Sequence, residues 1–300
     1  RDLCGLLNVA AIGIPARVLD SMALNLAENT PGLFRHLLPE TSETAHKYTR
    51  GSVGVFTGEA TSTGAARLAA TAAQRAGAGA VTLIAPDDAL DALSAQVTAA
   101  MIRAATSVAD LEPLLTGGKF SAFIIGPGFG RFRSLKDFVL ALLGPTHAKP
   151  AILDADVFSA FAFEGGQLFT AIKGSGQPVI LTPHSGEFAR IFPDLADDPG
   201  QAKHEKARVA AERSGAVIVL KGADTIIAAP DGRAAFNSNG VPGLATAGSG
   251  DVLAGFAGGL LSQGMPAFEA ACAAAWCHAD AGAQLDKGFT AEDLAAQISA

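Results

Sequence analysis

The 300 residues carry 22 Lys and Arg against 29 Asp and Glu, a formal net charge of −7, with 49% hydrophobic and 17% charged residues. A chain this long and this apolar, with mean hydropathy +0.30, buries a sizeable core, which excludes intrinsic disorder. The acidic balance argues against a general nucleic-acid or anionic-membrane binder, and Cys4, Cys272 and Cys277 have neither C-x-x-C spacing nor an even number, which argues against a zinc site or a disulfide framework and suits a reducing cytoplasm.

The chain opens on Arg1, with no basic stretch leading into an apolar run; it shows no signal peptide and reads as a fragment. Residues 1–46 are irregular, and Pro31, Pro39 and the polar run Glu40 to Thr44 read as a linker. From Gly51 the pattern changes to apolar β-type runs, each followed by a Gly or Asp turn and an Ala-rich helix. Strands are predicted over 53–57, 80–85, 122–126, 151–154, 179–182, 216–221 and 225–229, and helices over 64–76, 134–143, 156–163, 200–214, 250–261 and 266–285. Most strand runs are continuously apolar, as in strands buried on both faces, so the pattern predicts an α/β fold with a mainly parallel sheet between helices. The short link through Gly222 and Asp224 allows one hairpin. The uncharged run Val252 to Phe268 is short for a membrane span and broken by four glycines and a proline; it reads as buried helix plus turn.

In such sheets ligands sit beyond the carboxyl ends of the strands, so the residues there are the candidates. The strongest stretch is Thr246-Ala-Gly-Ser-Gly-Asp251, leading into an apolar helix. Gly248, Ser249 and Gly250 fold tightly at a helix N-terminus, where unpaired N–H groups and the dipole favour an anion. Asp251 beside them is placed to take a proton from an attacking hydroxyl; the alternative is a plain helix cap. His184 and Glu187 of Thr182-Pro-His-Ser-Gly-Glu187 either project above the sheet edge or form a surface turn. Lys221 and Thr225 either hold nucleotide phosphates or snorkel at a hairpin. Gly126–Gly130 is a ligand-facing turn of weak specificity, and Asp154 at a buried strand end needs a partner or a nearby metal. Lys203, His204, Glu205, Lys206 and Arg208 read as an exposed helix face, Trp276, Cys272 and Cys277 as core, and His278 and Asp280 as solvated or capping.

Taken together, K-Y-T-R-G (47–51), G-A-A-R-L-A-A and R-A-G-A-G (64–79), I-G-P-G-F-G (125–130), L-D-A-D (153–156), T-P-H-S-G-E-F (182–188), L-K-G-A-D-T (220–225) and N-G-V-P-G-L-A-T-A-G-S-G-D-V-L-A-G (239–255) resemble the ADP/ATP-dependent NAD(P)H-hydrate dehydratase family. The match runs from about Lys47 to Asp293, with Ser249 and Ser185 where the family more often has Thr and Pro. The resemblance implies a ribokinase-like three-layer α/β/α sandwich over 47–300, with 1–46 a tail or linker from a preceding epimerase domain, as Ile12-Gly-Ile-Pro15 resembles the end of that half. It implies that Asp251 activates the hydroxyl of the hydrated nicotinamide and that Gly248, Ser249 and Gly250 bind the transferring phosphoryl group. Ala65, Gly130, His184 and Asp251 would contact the NAD(P)H hydrate. Lys221, Gly222, Ala223, Asp224, Thr225 and Gly250 would contact the adenine nucleotide. ADP is the expected co-substrate over ATP, with Mg2+ on the phosphates and its protein ligands unassigned. The family also implies a cytoplasmic homotetramer, for which the Ala-rich helices offer packing surfaces. Epimerase activity is not expected of these residues.

Two other readings share the same loop. One is a kinase of this fold acting on hydroxyethylthiazole or hydroxymethylpyrimidine; T-P-H-S-G-E and L-K-G-A-D-T favour the dehydratase. The other is a nucleotide sensor without turnover, which Asp251→Asn would leave unchanged.

Overall fold

Ten strands form one sheet in the computed structural model, which describes residues 8, 10–22, 25–40, 46, 47, 49–130, 133–146 and 148–299. Cys4 and residues 41–44 of the expected linker lie outside the described residues. The strands are β1 (Leu26–Glu28), β2 (Ser52–Phe56), β3 (Ala80–Ala85), β4 (Met101–Ala104), β5 (Ala122–Ile125), β6 (Ala151–Leu153), β7 (Val179–Leu181), β8 (Val217–Leu220), β9 (Ile226–Ala228) and β10 (Ala234–Phe236). They lie in the order β1-β10-β9-β8-β7-β6-β5-β2-β3-β4. Only β9 runs antiparallel to its neighbours, β8 and β10, so the hairpin allowed by Gly222 and Asp224 is present.

The continuous apolar runs have a simple cause: each strand sends alternate residues into two cores. Val53, Val55, Leu83, Ile124, Ile152, Ile180 and Val219 face the helices Thr63–Arg75, Ser249–Ser262 and Ala267–Gln284. Phe56, Ile84, Phe123, Ile125, Leu153, Leu181 and Leu220 face the layer that contains Arg133–Leu142, Gly165–Ser175 and Lys203–Ser214. The result is the expected three-layer α/β/α sandwich. The Ala-rich helices are spent inside it: Ala66, Ala69, Ala72 and Ala73 on one helix and Ala270, Ala271, Ala273 and Ala274 on another are buried in the core. Small side chains are needed because helices of the same layer touch closely; a Cβ on Gly255 would lie 2.2 Å from the Ala69 carbonyl oxygen. Cys272 and Cys277 are buried free thiols in this packing.

Three strands were not expected. β1 and β10 are three residues long, and β4 carries Arg103 at the open edge of the sheet, so none shows the doubly buried pattern. β1 also changes the view of the first 46 residues. It extends the sheet beside β10, Asn29 donates to Asn237 Oδ1 and to the Cys272 carbonyl at 2.8 Å, and Phe34 is buried with its ring 6.2 Å from that of Trp276. A boundary at 46/47 thus divides elements of one sheet. No helix among the described residues is long and apolar enough to cross a membrane.

Candidate active site

The chain runs outward from β2 to β4, then returns to place β5 on the other side of β2. That reversal opens a crevice at the carboxyl ends of β2 and β5, the usual ligand position in open α/β sheets. The Gly58 N–H donates to the Gly128 carbonyl across it at 3.1 Å, and a cavity of about 320 Å3 opens beside it, lined by Phe56, Gly58, Ile84, Pro86 and Phe129 among others. Ala65 borders the same turn: a Cβ on Gly128 would come within 3.1 Å of its methyl group.

Moving along the rim, β6 ends in Asp154-Ala155-Asp156. Ala155 holds φ +49°, a costly conformation for a residue with a Cβ, and the two aspartates on either side find separate partners. Asp156 Oδ2 accepts from the Gly130 N–H at 2.8 Å, and Asp154 Oδ1 accepts from Lys221 Nζ at 2.9 Å. The Gly126 backbone passes so close that a Cβ there would sit 1.8 Å from the Asp154 carbonyl oxygen. After β7, His184 caps the helix Ser185–Ile191: its Nδ1 accepts from the N–H groups of Gly186 (3.0 Å) and Glu187 (3.2 Å), while Glu187 Oε2 accepts from the His184 N–H at 2.8 Å. With Nδ1 an acceptor, Nε2 carries the proton and faces Glu187 Oε1 at 3.4 Å. Lys221 Nζ lies 3.8 Å from Glu187 Oε2.

Over this rim sits the first turn of the helix Ser249–Ser262. Gly248 is its N-cap at φ +87°, and Asp251 is its third residue. The Asp251 side chain makes no hydrogen bond to protein among the described residues, and the helix has no side-chain cap, so the plain-cap alternative fails. The N–H groups of Gly250 and Asp251 are likewise without a protein acceptor there. Ser249, expected as a further donor, is occupied instead: its N–H reaches the Thr246 carbonyl at 3.3 Å, and its hydroxyl lies 3.0 Å from His278 Nε2. A Cβ on Gly250 would lie 3.3 Å from Lys221 Nζ, which places the cup directly against the ammonium group. Gly248→Ala is expected to cost roughly 1–2 kcal/mol for the left-handed backbone alone. Crowding adds to this, since the new methyl would fall 2.7 Å from Leu68 Cδ1 and 2.8 Å from Ala291 Cβ. Urea denaturation measures the loss.

Asp154, Glu187 and Asp251 thus act on the ammonium of Lys221, and Asp156 acts on Asp251. Burial, then Asp154, push Asp251 up to about 7 despite the pull of Lys221, with Asp156 and Glu187 adding to the rise. Burial also raises Glu187 against the opposing pull of Lys221. Burial would lower Lys221, but Asp154 and Glu187 outweigh it and hold the ammonium above its ordinary value. A carboxyl group near neutrality beside free N–H donors is suited to proton transfer.

Asp251, Gly250, Lys221, His184 and Gly130 are therefore gathered on one rim, with Ala65 across the crevice. Gly222, Ala223 and Asp224 form an exposed loop at its end, closed by Thr225 Oγ1, which accepts from the Gly222 N–H at 3.2 Å. Lys203 was read as part of an exposed charged face. It instead reaches over this loop, donating to Asp224 Oδ1 at 2.6 Å and to the Asp224 carbonyl at 2.9 Å. His278 was read as solvated or capping and is buried against Ser249. Helical spacing alone marks neither residue, because both partners lie elsewhere in the chain.

A family model described as NAD(P)H-hydrate dehydratase matches residues 53–300. The bifunctional NAD(P)H-hydrate repair enzyme Nnr of Moorella thermoacetica is 38% identical over 289 residues, covering 94% of this chain and 54% of that protein. The ADP-dependent (S)-NAD(P)H-hydrate dehydratase of Neisseria meningitidis is 36% identical over 274 residues, covering 89% of this chain and 88% of that one. Among solved structures, the ADP/ATP-dependent NAD(P)H-hydrate dehydratase from Bacillus subtilis, co-crystallised with ATP and Mg2+, matches with a TM-score of 0.73 at 27% identity over 91% of this chain and 96% of that chain. A ribokinase-like superfamily protein from Enterococcus faecalis, at TM-score 0.77 and 23% identity over 91% and 94% of the two chains, shares the fold. The chain spans about half the length of the bifunctional relatives.

Proposed function

The chain belongs to the NAD(P)H-hydrate dehydratase family, and from that premise we propose that it is an ADP-dependent (S)-NAD(P)H-hydrate dehydratase, a hydro-lyase that repairs damaged NADH and NADPH. The observation that carries the reading is Asp251: a carboxyl group with a pKa of about 7, not engaged as a cap, next to two free N–H donors and against Lys221.

The chemical problem is that hydroxide is a poor leaving group near neutral pH. Asp251 takes the proton of the ring hydroxyl as that oxygen attacks the terminal phosphoryl group of ADP, and AMP departs. The N–H groups of Gly250 and Asp251, at the positive end of the helix Ser249–Ser262, hold the transferring group, with Gly248 shaping the turn. Phosphate then leaves the ring, driven by the ring-nitrogen lone pair, and the adjacent carbon loses a proton, restoring the dihydronicotinamide. Lys221, Gly222, Ala223, Asp224 and Thr225 receive the nucleotide, with Lys203 holding their loop in place. Ala65, Gly130 and His184 line the side that receives the hydrate.

Mg2+ suits this donor set. Carboxylate oxygens are its preferred protein ligands, and Asp154, Asp156, Glu187 and Asp251 outnumber the one ammonium among them. Among the described residues, no three His, Cys, Asp or Glu are placed to hold a metal alone, so carboxylates of this cluster would hold the ion together with phosphates and water. When bound, the ion neutralises phosphate charge.

The full-length bifunctional relatives support an epimerase domain upstream of this segment, and the exposed Ile12, Ile14, Val18 and Met22 offer it a contact surface. Metabolite repair of this kind fits a cytoplasmic homotetramer. Incubating the protein with NADH or NADPH hydrate plus ADP or ATP tests the reading, through the returning absorbance of reduced nicotinamide. The kcat/KM is expected to rise with pH and level off above an apparent pKa near the value of about 7 held by Asp251 in the free protein, because only the ionised carboxylate accepts the proton. A pH–rate profile checks this, and a rate that falls through neutrality would contradict it.

A further inference from the structure

A histidine on the buried side of an Ala-rich helix is expensive to bury unless both its shape and its polar atoms are used. His278 belongs to the helix Ala267–Gln284 and is 8% exposed. Its Nε2 lies 2.9 Å from the carbonyl oxygen of Ser249 and 3.0 Å from the Ser249 hydroxyl. The carbonyl decides the tautomer. An unprotonated Nε2 would face the carbonyl lone pair at hydrogen-bond distance, so the proton resides on Nε2 and is donated to the carbonyl, with the hydroxyl sharing it. Burial pushes the His278 pKa down to about 4, so the ring is neutral at working pH and adds no positive charge to the cluster around Asp251.

Ser249 is the first residue of the turn whose next two N–H groups form the cup. The turn is glycine-rich, flanked by Gly248 and Gly250, and its side-chain cap is missing. Without a lateral tie, two glycines leave the direction of those N–H groups weakly determined. We propose that His278 is a positioning residue for phosphoryl transfer: it locks Ser249, and through Ser249 the N–H groups of Gly250 and Asp251, in the orientation the transferring group needs. This rests on the dehydratase reading and names a residue that touches neither substrate nor nucleotide. A misplacement of about 1 Å at such a cup costs up to roughly 100-fold in rate.

The test uses His278→Ala and His278→Gln. The Gln side chain carries an N–H at nearly the position of Nε2, so it can replace the donor. His278→Ala is expected to lower kcat roughly 10- to 100-fold with KM for ADP little changed, and His278→Gln to restore most of it. A merely structural role would not separate kcat from KM or be rescued in this way. Orthovanadate titrated in the presence of AMP gives a second readout that needs no hydrate: affinity is expected to fall in the Ala variant and return in the Gln variant. If wild-type protein fails to dehydrate the hydrate, the dehydratase reading fails and the vanadate series still decides the role of His278. If His278→Ala does not fold, His278→Gln decides. The proposal is overturned if the Ala variant keeps kcat and vanadate affinity within about twofold of wild type. It is equally overturned if a folded Gln variant loses them as far as Ala does.

Discussion

Asp251→Asn is expected to lower turnover of the hydrate by roughly 10²- to 10⁴-fold, the span over which a positioned general base contributes. Asparagine keeps the shape and cannot take the proton, while the N–H groups of Gly250 and the loop 222–225 are untouched. ADP affinity, measured by calorimetry, should therefore remain near that of wild type. The same substitution has a second consequence for the fold. The carboxyl group titrates at about 7 in the folded protein and near 3.8 when unfolded, so between those values the folded state holds the extra proton. Stability from this group is thus present at low pH and lost as pH rises toward neutrality. Asp251→Asn should melt higher than wild type at pH 8, with the gap closing toward pH 4, as thermal scans would reveal. An inactive variant that is also more stable is the signature of a carboxylate retained for chemistry against the interests of the fold. Full turnover by the variant would contradict the role given to Asp251, whereas ADP binding without turnover in wild type and variant alike would favour the nucleotide-sensor reading.

Lys221→Met should be the most damaging single change to the rim. Asp154 is 1% exposed, and its ion pair with Lys221 at 2.9 Å is its charge partner. Removing one member of a buried pair leaves the other charged and unsolvated, at a cost of roughly 3–5 kcal/mol, which urea denaturation would detect. Asp154→Asn combined with Lys221→Met removes both charges and should recover much of that loss; the departure from additivity measures the pair. The substitution also removes the cation that holds Asp251 and Glu187 down, so any residual activity should show its pH profile displaced to higher pH. A Lys221→Met protein as stable as wild type would show that the pair does not hold the rim together.

The seven expected strands were legible because both their faces are buried, which writes an unbroken apolar run into the sequence; β3 has the expected bounds and the other six differ only at their ends. β4 was not, because an edge strand carrying Arg103 has one face to hide rather than two. The rule that ligands sit at strand ends marked Asp154, His184, Glu187 and Lys221 separately, and the glycine-rich turn at a helix N-terminus marked Asp251. What no local pattern contains is who faces whom. Asp154 and Lys221 are 67 residues apart, and Lys203 and Asp224 are 21 apart. Lys203 carries the same signal as any lysine on a solvated helix until the loop it grips is in place. His278 lies on the buried side of a helix whose partly exposed stripe passes through Glu269, Trp276 and Asp280, and its neighbour Asp280 in sequence gives the same polar signal. Ala155 gives no warning of its positive φ, and the partners to which the aspartates on either side turn lie far from it in the chain.

The most direct measurement is a balance sheet of one reaction: NADH hydrate, ADP and Mg2+ with the protein, quantifying AMP, inorganic phosphate and NADH together. Transfer onto the ring hydroxyl followed by its loss requires the three products in equal amounts. Consumption of ADP that yields a stable phosphorylated hydrate, or any nucleotide turnover without NADH, would contradict it.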